Sequence, residues 1–484
     1  MPGVLIAGTS SDAGKSLVVT GLCRALRRRG IDVAPFKAQN MSNNSMVCAD
    51  GAEIGRAQYL QAQAARVEPT SAMNPVLLKP GTDRRSFVVV RGRPAGTLEA
   101  GEYATGRRHL ADAAFSAYAE LEASVELVVV EGAGSPAEIN LRERDYVNLG
   151  LARHAGLPVV LVGDIDRGGV LASIFGTWAI VDDADRAHLV GYAINKFRGD
   201  ASVLQPGLDE LTRRTGLPCL GVLPWLDGVW LDGEDALALT RWPASETADA
   251  LRVAVVRLPR ISNATDVDAL AHEPGVEVAV TTDPRVVAAA DLAVLPGSRA
   301  TVSDLAWLRE RGIADAVAQR HRAGRPTLGI CGGYQMLAGA IDDPVESAAG
   351  RIEGLGVLPV EVSFGDKVLA RTRHPWRGLS VPGYEIHHGR CRLTAPGDEG
   401  FLDGVRVGAT FGTLLHGALE DDAFRRAFLT EVAALTDSGW VPDAAASGYA
   451  DRREAMIETL ADAAERHLDV EALLALARTF KADR

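Results

Sequence analysis

The chain offers little to a nucleic acid, a membrane or an oxidising compartment. Its formal net charge is −12, and its longest basic run is Arg27-Arg28-Arg29. That run ends a helical pattern, where cations meet the negative end of the helix dipole, so a polyanionic partner is disfavoured. The longest apolar runs, such as 127–130 and 157–162, are strand-length and far short of a bilayer span. No charged-then-apolar leader precedes the first strand pattern, and a cytoplasmic protein is expected. Five cysteines (Cys23, Cys48, Cys219, Cys331, Cys391) are odd in number and have no CxxC spacing, which points to neither disulfides nor a zinc site. Lysine is also scarce: of 51 basic residues only six are Lys. A Lys kept in such an Arg-preferring chain is a candidate for work that needs a compact, movable point charge.

Apolar residues are abundant. With 484 residues, 47% of them hydrophobic, the chain exceeds what one core organises, and two or three domains are expected. It opens on Val4-Leu-Ile-Ala-Gly-Thr-Ser-Ser-Asp-Ala-Gly-Lys-Ser16: a strand-length apolar run, a turn of small residues, then a helical pattern. Backbone N–H groups of such a turn, at the positive end of the following helix, cradle a phosphate. Lys15 and the Ser16 hydroxyl suit terminal phosphates and Mg²⁺. The usual phosphate-loop spacing places Gly where Thr9 stands; here the glycine is one earlier, at Gly8. This shifted form resembles the loop of dethiobiotin synthetase and its relatives, which phosphorylate a carboxylate. By that reading Thr9, Asp12, Gly14, Lys15 and Ser16 hold the nucleotide.

The first half alternates apolar runs with helical patterns, the mark of a parallel sheet covered on both faces. The pattern predicts strands near 3–7, 33–36, 86–90, 127–130, 158–162, 189–194 and 218–223. It predicts helices near 15–29, 53–65, 107–122, 146–155, 169–181 and 201–215. Lys37, Lys79 and Lys196 each follow an apolar run directly, where an open α/β sheet places its ligands. Lys37-Ala-Gln-Asn-Met-Ser-Asn-Asn-Ser45 is amide-rich and begins where a strand ends, so Lys37, Gln39, Asn40, Asn43 and Asn44 are candidate substrate ligands. Glu131 closes the run 127–130 and is a candidate Mg²⁺ carboxylate beside Ser16. Asp145 closes the polar loop after it and is a candidate catalytic residue. Asp164, Asp166 and Arg167 follow the next strand as further substrate candidates, and Asn195 is placed to read a nucleobase through its amide.

A composition break at 240–250 is the expected linker, with 1–239 as the first domain. The strand pattern then restarts near 252–257, 276–280, 292–295 and 327–330, with a helix near 301–323. Its centre is Gly329-Ile-Cys-Gly-Gly333, a strand-to-helix turn that exposes Cys331 as a nucleophile. Histidine partners are offered by Tyr384-Glu-Ile-His-His-Gly389 and Phe411-Gly-Thr-Leu-Leu-His-Gly417. Residues 441–484 read as a helical tail with no visible chemistry, leaving 251–440 as the second domain.

A phosphate loop on one domain and an exposed cysteine with histidine on the other imply split chemistry. Glutamine hydrolysis feeding ammonia to an ATP-activated carboxylate joins both ends. Through Gly8–Ser16, residues 37–45, Asp164-Ile-Asp-Arg-Gly-Gly169, Asn195-Lys-Phe-Arg-Gly-Asp200, the Cys331 turn and the His416 segment, the chain resembles the adenosylcobyric acid synthase family over essentially its whole length. The resemblance implies an α/β fold: a P-loop, dethiobiotin synthetase-like domain followed by a class I glutamine amidotransferase domain. It implies ATP- and glutamine-dependent amidation of four carboxylates (b, d, e and g) of adenosylcobyrinic acid a,c-diamide, through acyl phosphates, with Mg²⁺. Cys331 and His416 would be catalytic, with backbone N–H groups at Gly297 and Gly332 as the oxyanion hole. The partners implied are small molecules, corrinoid, glutamine and ATP; a homo-oligomer is compatible with the sequence. Class I amidotransferases usually carry Glu two residues after the catalytic His, but Gly417-Ala418 follow His416. The cobalamin branch also lacks that acid, so the group that orients His416 is open. Two alternatives stand: a cobyrinic acid a,c-diamide synthase, with the same two domains but other target carboxylates, and a non-catalytic P-loop partitioning ATPase fused to a binding module. Partitioning ATPases carry an extra Lys early in the loop, absent from residues 9–13 here.

Overall fold

A computed structural model describes residues 3–81, 85–99, 108–230 and 250–481. Residues 3–224 build a parallel sheet whose strands run, edge to edge, Cys219–Pro224, Leu189–Phe197, Val159–Asp164, Gly3–Gly8, Leu127–Glu131 and Val33–Phe36. Leu5 and Ala7 enter one core and Val4 and Ile6 the other. Burial on both faces is why these strands read as unbroken apolar runs. Gly3–Gly8 lies between Leu127–Glu131 and Val159–Asp164, and the phosphate loop opens from its carboxyl end, where such sheets collect ligands.

Three expectations need correction. The run 86–90 is a strand, Arg85–Val90, but in a separate sheet with Gln39–Met41, Val76–Pro80 and Arg93–Glu99. A two-residue turn, Arg91-Gly92, with φ of 48° and 73°, folds it into a hairpin rather than a crossover. The helix expected from 53 begins at Arg56, because Glu53–Gly55 pairs with Ser45–Val47. The helix expected over 301–323 is two, Thr301–Glu310 and Ile313–Arg322, divided at Gly312 with φ 71°.

The second sheet is built from residues 251–413, in the order Val276–Thr281, Leu251–Val256, Leu292–Leu295, Thr327–Ile330, Thr410–Thr413, Gly404–Val407 and Glu399–Phe401. From it projects a long hairpin, Val360–Trp376 with Leu379–Leu393. Its Tyr384 and Ile386 pack on Val47 of the first half, and Arg371 Nε donates to the Val47 carbonyl at 2.7 Å. The expected linker 240–249 lies outside the described residues.

The C-terminal helices, Tyr449–His467 and Val470–Thr479, return to the first half. Met456, Ile457, Ala461 and Leu473 join the core around helix Lys15–Arg28. Buried Arg24 pairs with Glu454 and Glu458, and Arg28 with Asp462 at 2.7 Å. A Cβ at Gly21 would lie 2.6 Å from the Leu460 carbonyl, so glycine is what lets the two helices touch.

Candidate active sites

The turn at Cys331 joins strand Thr327–Ile330 to helix Gly332–Met336. Cys331 holds φ 49°, ψ −109°, sparsely populated backbone for a residue with a side chain. Its neighbours must be glycine: a Cβ at Gly333 would stand 1.9 Å from the Leu295 carbonyl, and one at Gly329 2.8 Å from Tyr334. Gly332 abuts the turn at Gly297 and Ser298. A Cβ on Gly332 would lie 2.7 Å from Ser298 N, and one on Gly297 3.1 Å from His416 Cε1. The two glycines proposed as oxyanion donors therefore flank the sulfur–imidazole pair. Ser298 Oγ donates to Asp304 Oδ2 at 2.6 Å, which fixes the turn.

The group that orients His416 is Asp266. Its Oδ2 lies 2.6 Å from His416 Nδ1, and its Oδ1 accepts Gly417 N–H at 2.8 Å. Both side chains are almost fully buried. His416 is buried, and the Cys331 sulfur acts on its ring. Burial alone would lower the imidazole's pKa, but Asp266 and then Cys331 overcome it and push it up to about 10. His387 and His388, also offered as partners, are engaged elsewhere: His387 Nε2 meets Glu385 at 3.0 Å and His388 Nδ1 the Gly365 carbonyl at 3.0 Å. Nothing near His416 in the sequence announces Asp266, which precedes it by 150 residues. It arrives on the short helix Ala264–Val267, and only folding brings the two together.

At the other centre, Ser16 Oγ donates to Glu131 Oε1 at 2.8 Å, and Lys37 Nζ reaches the same oxygen at 2.8 Å. Gln61 Nε2 holds the second oxygen at 2.5 Å. Lys15 Nζ donates to the carbonyls of Ser10 and Gly134 at 3.1 and 3.3 Å. Gly14, at φ 91°, caps the helix, and a Cβ there would meet Asn195 Nδ2 at 2.0 Å. Asn195 Nδ2 donates to the Ala13 carbonyl at 3.0 Å. Thr9 is held through its backbone by Val162, and Asp12, at φ 58°, offers its carbonyl to Lys196 Nζ at 2.8 Å.

Beside this loop is a cavity of about 880 Å³ whose walls include Lys37, Gln39, Asn40, Asn43, Asp145 and, from the second half, Arg257 and Arg260. All five residues proposed from the amide-rich loop meet it, Asn44 while accepting Ala264 N–H through Oδ1 at 3.0 Å. Asp164, Asp166 and Arg167 do not line it. Asp164 pairs with Lys196 at 2.7 Å, Asp166 lies 3.7 Å from Arg198, and Arg167 approaches Asp12 at 3.5 Å, so all three flank the phosphate loop instead. Asp145 lines the cavity as well. Its carboxylate accepts the backbone N–H of Val147, Asn148 and Gly150 at 2.8, 2.9 and 2.8 Å. Those bonds hold the start of helix Leu149–Ala155 and fix the carboxylate in the cavity wall.

The two centres meet across a buried junction. Asn263 Oδ1 accepts Ser45 N–H at 2.9 Å, and Glu53 is clasped by Lys79 from the first half and Lys367 from the second. Burial favours a neutral Glu53, but the two ammonium groups hold its carboxyl well below the usual range. Lys79 is lowered to about 8, by burial first. Lys79, Lys367 and Cys331 line one cavity of about 40 Å³. Sequence placed Lys79 at a strand end; it lies within Val76–Pro80, facing the other domain's chemistry.

A phosphate loop carrying a Ser–carboxylate pair and a Cys–His–Asp constellation on a strained turn define a nucleotide-binding domain joined to a glutamine amidotransferase. Comparison with known proteins agrees. Residues 4–237 match the CobQ/CobB/MinD/ParA nucleotide binding domain, and residues 252–424 the CobB/CobQ-like glutamine amidotransferase domain. The chain is 66% identical to the cobyric acid synthase of Cutibacterium acnes, over 99% of this chain and 100% of that protein. It is 57% identical to the one from Mycolicibacterium gilvum, over 99% and 97%. The chain belongs to the cobyric acid synthase family and is a glutamine-hydrolysing amido-ligase.

Proposed function

We propose that the protein amidates the b, d, e and g carboxylates of adenosylcobyrinic acid a,c-diamide, each through an acyl phosphate made with ATP and attacked by ammonia from glutamine. The observation that carries this reading is the pairing of a large cavity at the phosphate loop with a small one at Cys331. The larger is walled by amide and cationic groups suited to a corrinoid rich in carboxylates and amides; the smaller is lined by the Cys331 nucleophile.

At Cys331 the thiolate attacks the glutamine amide carbon, and the N–H groups near Gly297 and Gly332 take the charge that develops on its oxygen. His416 gives a proton to the departing nitrogen. Ammonia leaves, and water cleaves the thioester to glutamate. Asp266 keeps the imidazole in the required tautomer throughout. At the loop, Lys15 faces the terminal phosphates, and Asn195 the base. Ser16 Oγ and Glu131 Oε1, 2.8 Å apart, are hard oxygen donors side by side, a set that fits Mg²⁺. When bound there, the ion would offset phosphate charge. Lys37, Asn40 and Asn43 would seat the corrinoid periphery, and Asp164, Asp166 and Arg167 would serve the phosphate end. The domain division that goes with this reading is 1–239 and 251–440, with 441–484 returning to the first domain. The test is product formation from the a,c-diamide: four sequential amidations, each consuming one ATP and one glutamine, are expected. An unchanged a,c-diamide, with amidation only of the a and c positions of cobyrinic acid, would favour the diamide-synthase alternative.

A further inference from the structure

The helix Tyr449–His467 has a place that the sequence did not suggest. Between it, the start of helix Lys15–Arg28 and the segment after strand Cys219–Pro224 lies a cavity of about 120 Å³. Its lining is mostly apolar: Leu17 and Val18 from the first helix, Pro224 and Trp225 beyond the strand, Leu460 and Ala463 from the C-terminal helix. One rim is Asn195, whose Nδ2 is tied to the phosphate-loop carbonyl of Ala13. With its donor engaged, the amide presents Oδ1 as the acceptor for a ligand amino group. The Trp225 indole is held on one side by Arg198, 3.9 Å from the ring centroid, and its Nε1–H by Asp227 at 3.1 Å.

A cavity of this kind, apolar with Asn195 and Lys196 at its phosphate-loop rim and the Lys196 ammonium held by Asp164 and the Asp12 carbonyl, suits a flat heteroaromatic base bearing an exocyclic amino group. Its far wall is firmly placed. Leu468 bridges Gly221 of the edge strand, Asp469 N–H donates to the Leu220 carbonyl at 2.8 Å, and Arg24 and Arg28 pin the helix through Glu454, Glu458 and Asp462. We infer that the helix Tyr449–His467, added by the chain after its amidotransferase domain, forms the apolar wall of the purine-base subsite of the phosphate loop. Nucleotide affinity then depends on the last helices of the chain as well as on its first turn. This rests on the reading that ATP binds at Lys15 and Ser16.

The test separates base from phosphates. Ala463→Leu fills the cavity from the C-terminal helix, and Ala455→Leu, at an exposed position of the same helix outside the cavity, serves as the control. Affinity for ATP is expected to fall at least tenfold in Ala463→Leu, while inorganic tripolyphosphate competes as well as it does in the parent protein and Ala455→Leu stays close to the parent. Unchanged ATP affinity in Ala463→Leu overturns the inference, and so does an equal loss for ATP and tripolyphosphate. A measurement on the unaltered protein stands beside it: photolabelling with 8-azido-ATP should attach to a peptide covering 449–468, and attachment only elsewhere overturns the inference. Failure of the underlying reading looks different, since Lys15→Ala would then leave ATP and tripolyphosphate binding intact.

Discussion

The two reactive centres of this molecule are prepared in different ways. Around Cys331 the residues are already interlocked: a strained turn, glycines that no other residue can replace, and an imidazole fixed by a buried carboxylate, beside a cavity of about 40 Å³. At the phosphate loop Ser16, Lys37 and Gln61 all converge on Glu131, and a cavity of about 880 Å³ lies alongside. One centre meets a single small amide and works with rigid geometry. Under the proposed function, the other presents several carboxylates of one large substrate to the same phosphate donor, which calls for room and many weak polar contacts rather than one tight fit.

If the centres are separable in this way, Cys331→Ser should bring the largest effect. Glutamine-dependent amidation should fall by at least about three orders of magnitude, because the poorly activated hydroxyl replaces the thiolate. Amidation with a high concentration of ammonium salt should persist, with product read by chromatography for each nitrogen donor in parallel. Loss with both donors in a folded protein would merge the two centres; retention with both would make Cys331 a packed thiol.

Lys15→Ala is the converse. Amidation with either donor should drop about 10²- to 10³-fold, the scale for losing one charge aimed at a developing anion. Glutamate release should stay near the parent rate. Normal amidation would remove the phosphate loop from the chemistry.

Asp266→Asn should cost glutaminase about 10²-fold, by loss of imidazolium stabilisation and tautomer control. A positioning role also predicts a pH signature. The folded-state value for His416, about 10, lies above the usual 6.5. Its contribution to stability is therefore complete below about pH 6.5 and is lost as pH rises through about 10. Urea midpoints should fall more across that window in the parent than in Asp266→Asn, and the alkaline limb of glutaminase activity should move to lower pH in the variant. Parallel curves for the two proteins would count against Asp266 as the partner.

The smallest effect is expected at Asp145. Because its carboxylate caps three backbone N–H groups, Asp145→Ala should lower stability by about 1 kcal/mol and Asp145→Asn by less. Because the same carboxylate lines the cavity proposed for the corrinoid, conversion by Asp145→Asn should leave partly amidated intermediates. Full conversion without intermediates by a stably folded Asp145→Asn protein would leave Asp145 a structural role alone.

Several parts of this molecule could be read directly from sequence because their signals are local. A buried parallel strand is an apolar run, a phosphate turn needs small residues before Lys15-Ser16, and a nucleophile turn needs the glycines that flank Cys331. Hence six of the seven strands expected before residue 230 lie in the first parallel sheet, and Cys331 and His416 are neighbours. What sequence spacing could not carry is pairing between distant segments. Asp266 finds His416, Glu53 finds Lys367, and helix Tyr449–His467 finds Lys15–Arg28 only because two sheets and a long hairpin bring them together. Asp145 shows a further limit: in one dimension nothing tells that the carboxylate of this strand-end loop also accepts backbone N–H groups at the start of the next helix. Sequence alone determined the strands, the two turns and the reactive residues on them, since those follow from each residue's own conformational and chemical preferences. Tertiary structure alone decided which distant charge or apolar face completes each site, since burial makes an unpaired group costly and leaves its partner to be whichever residue the fold delivers.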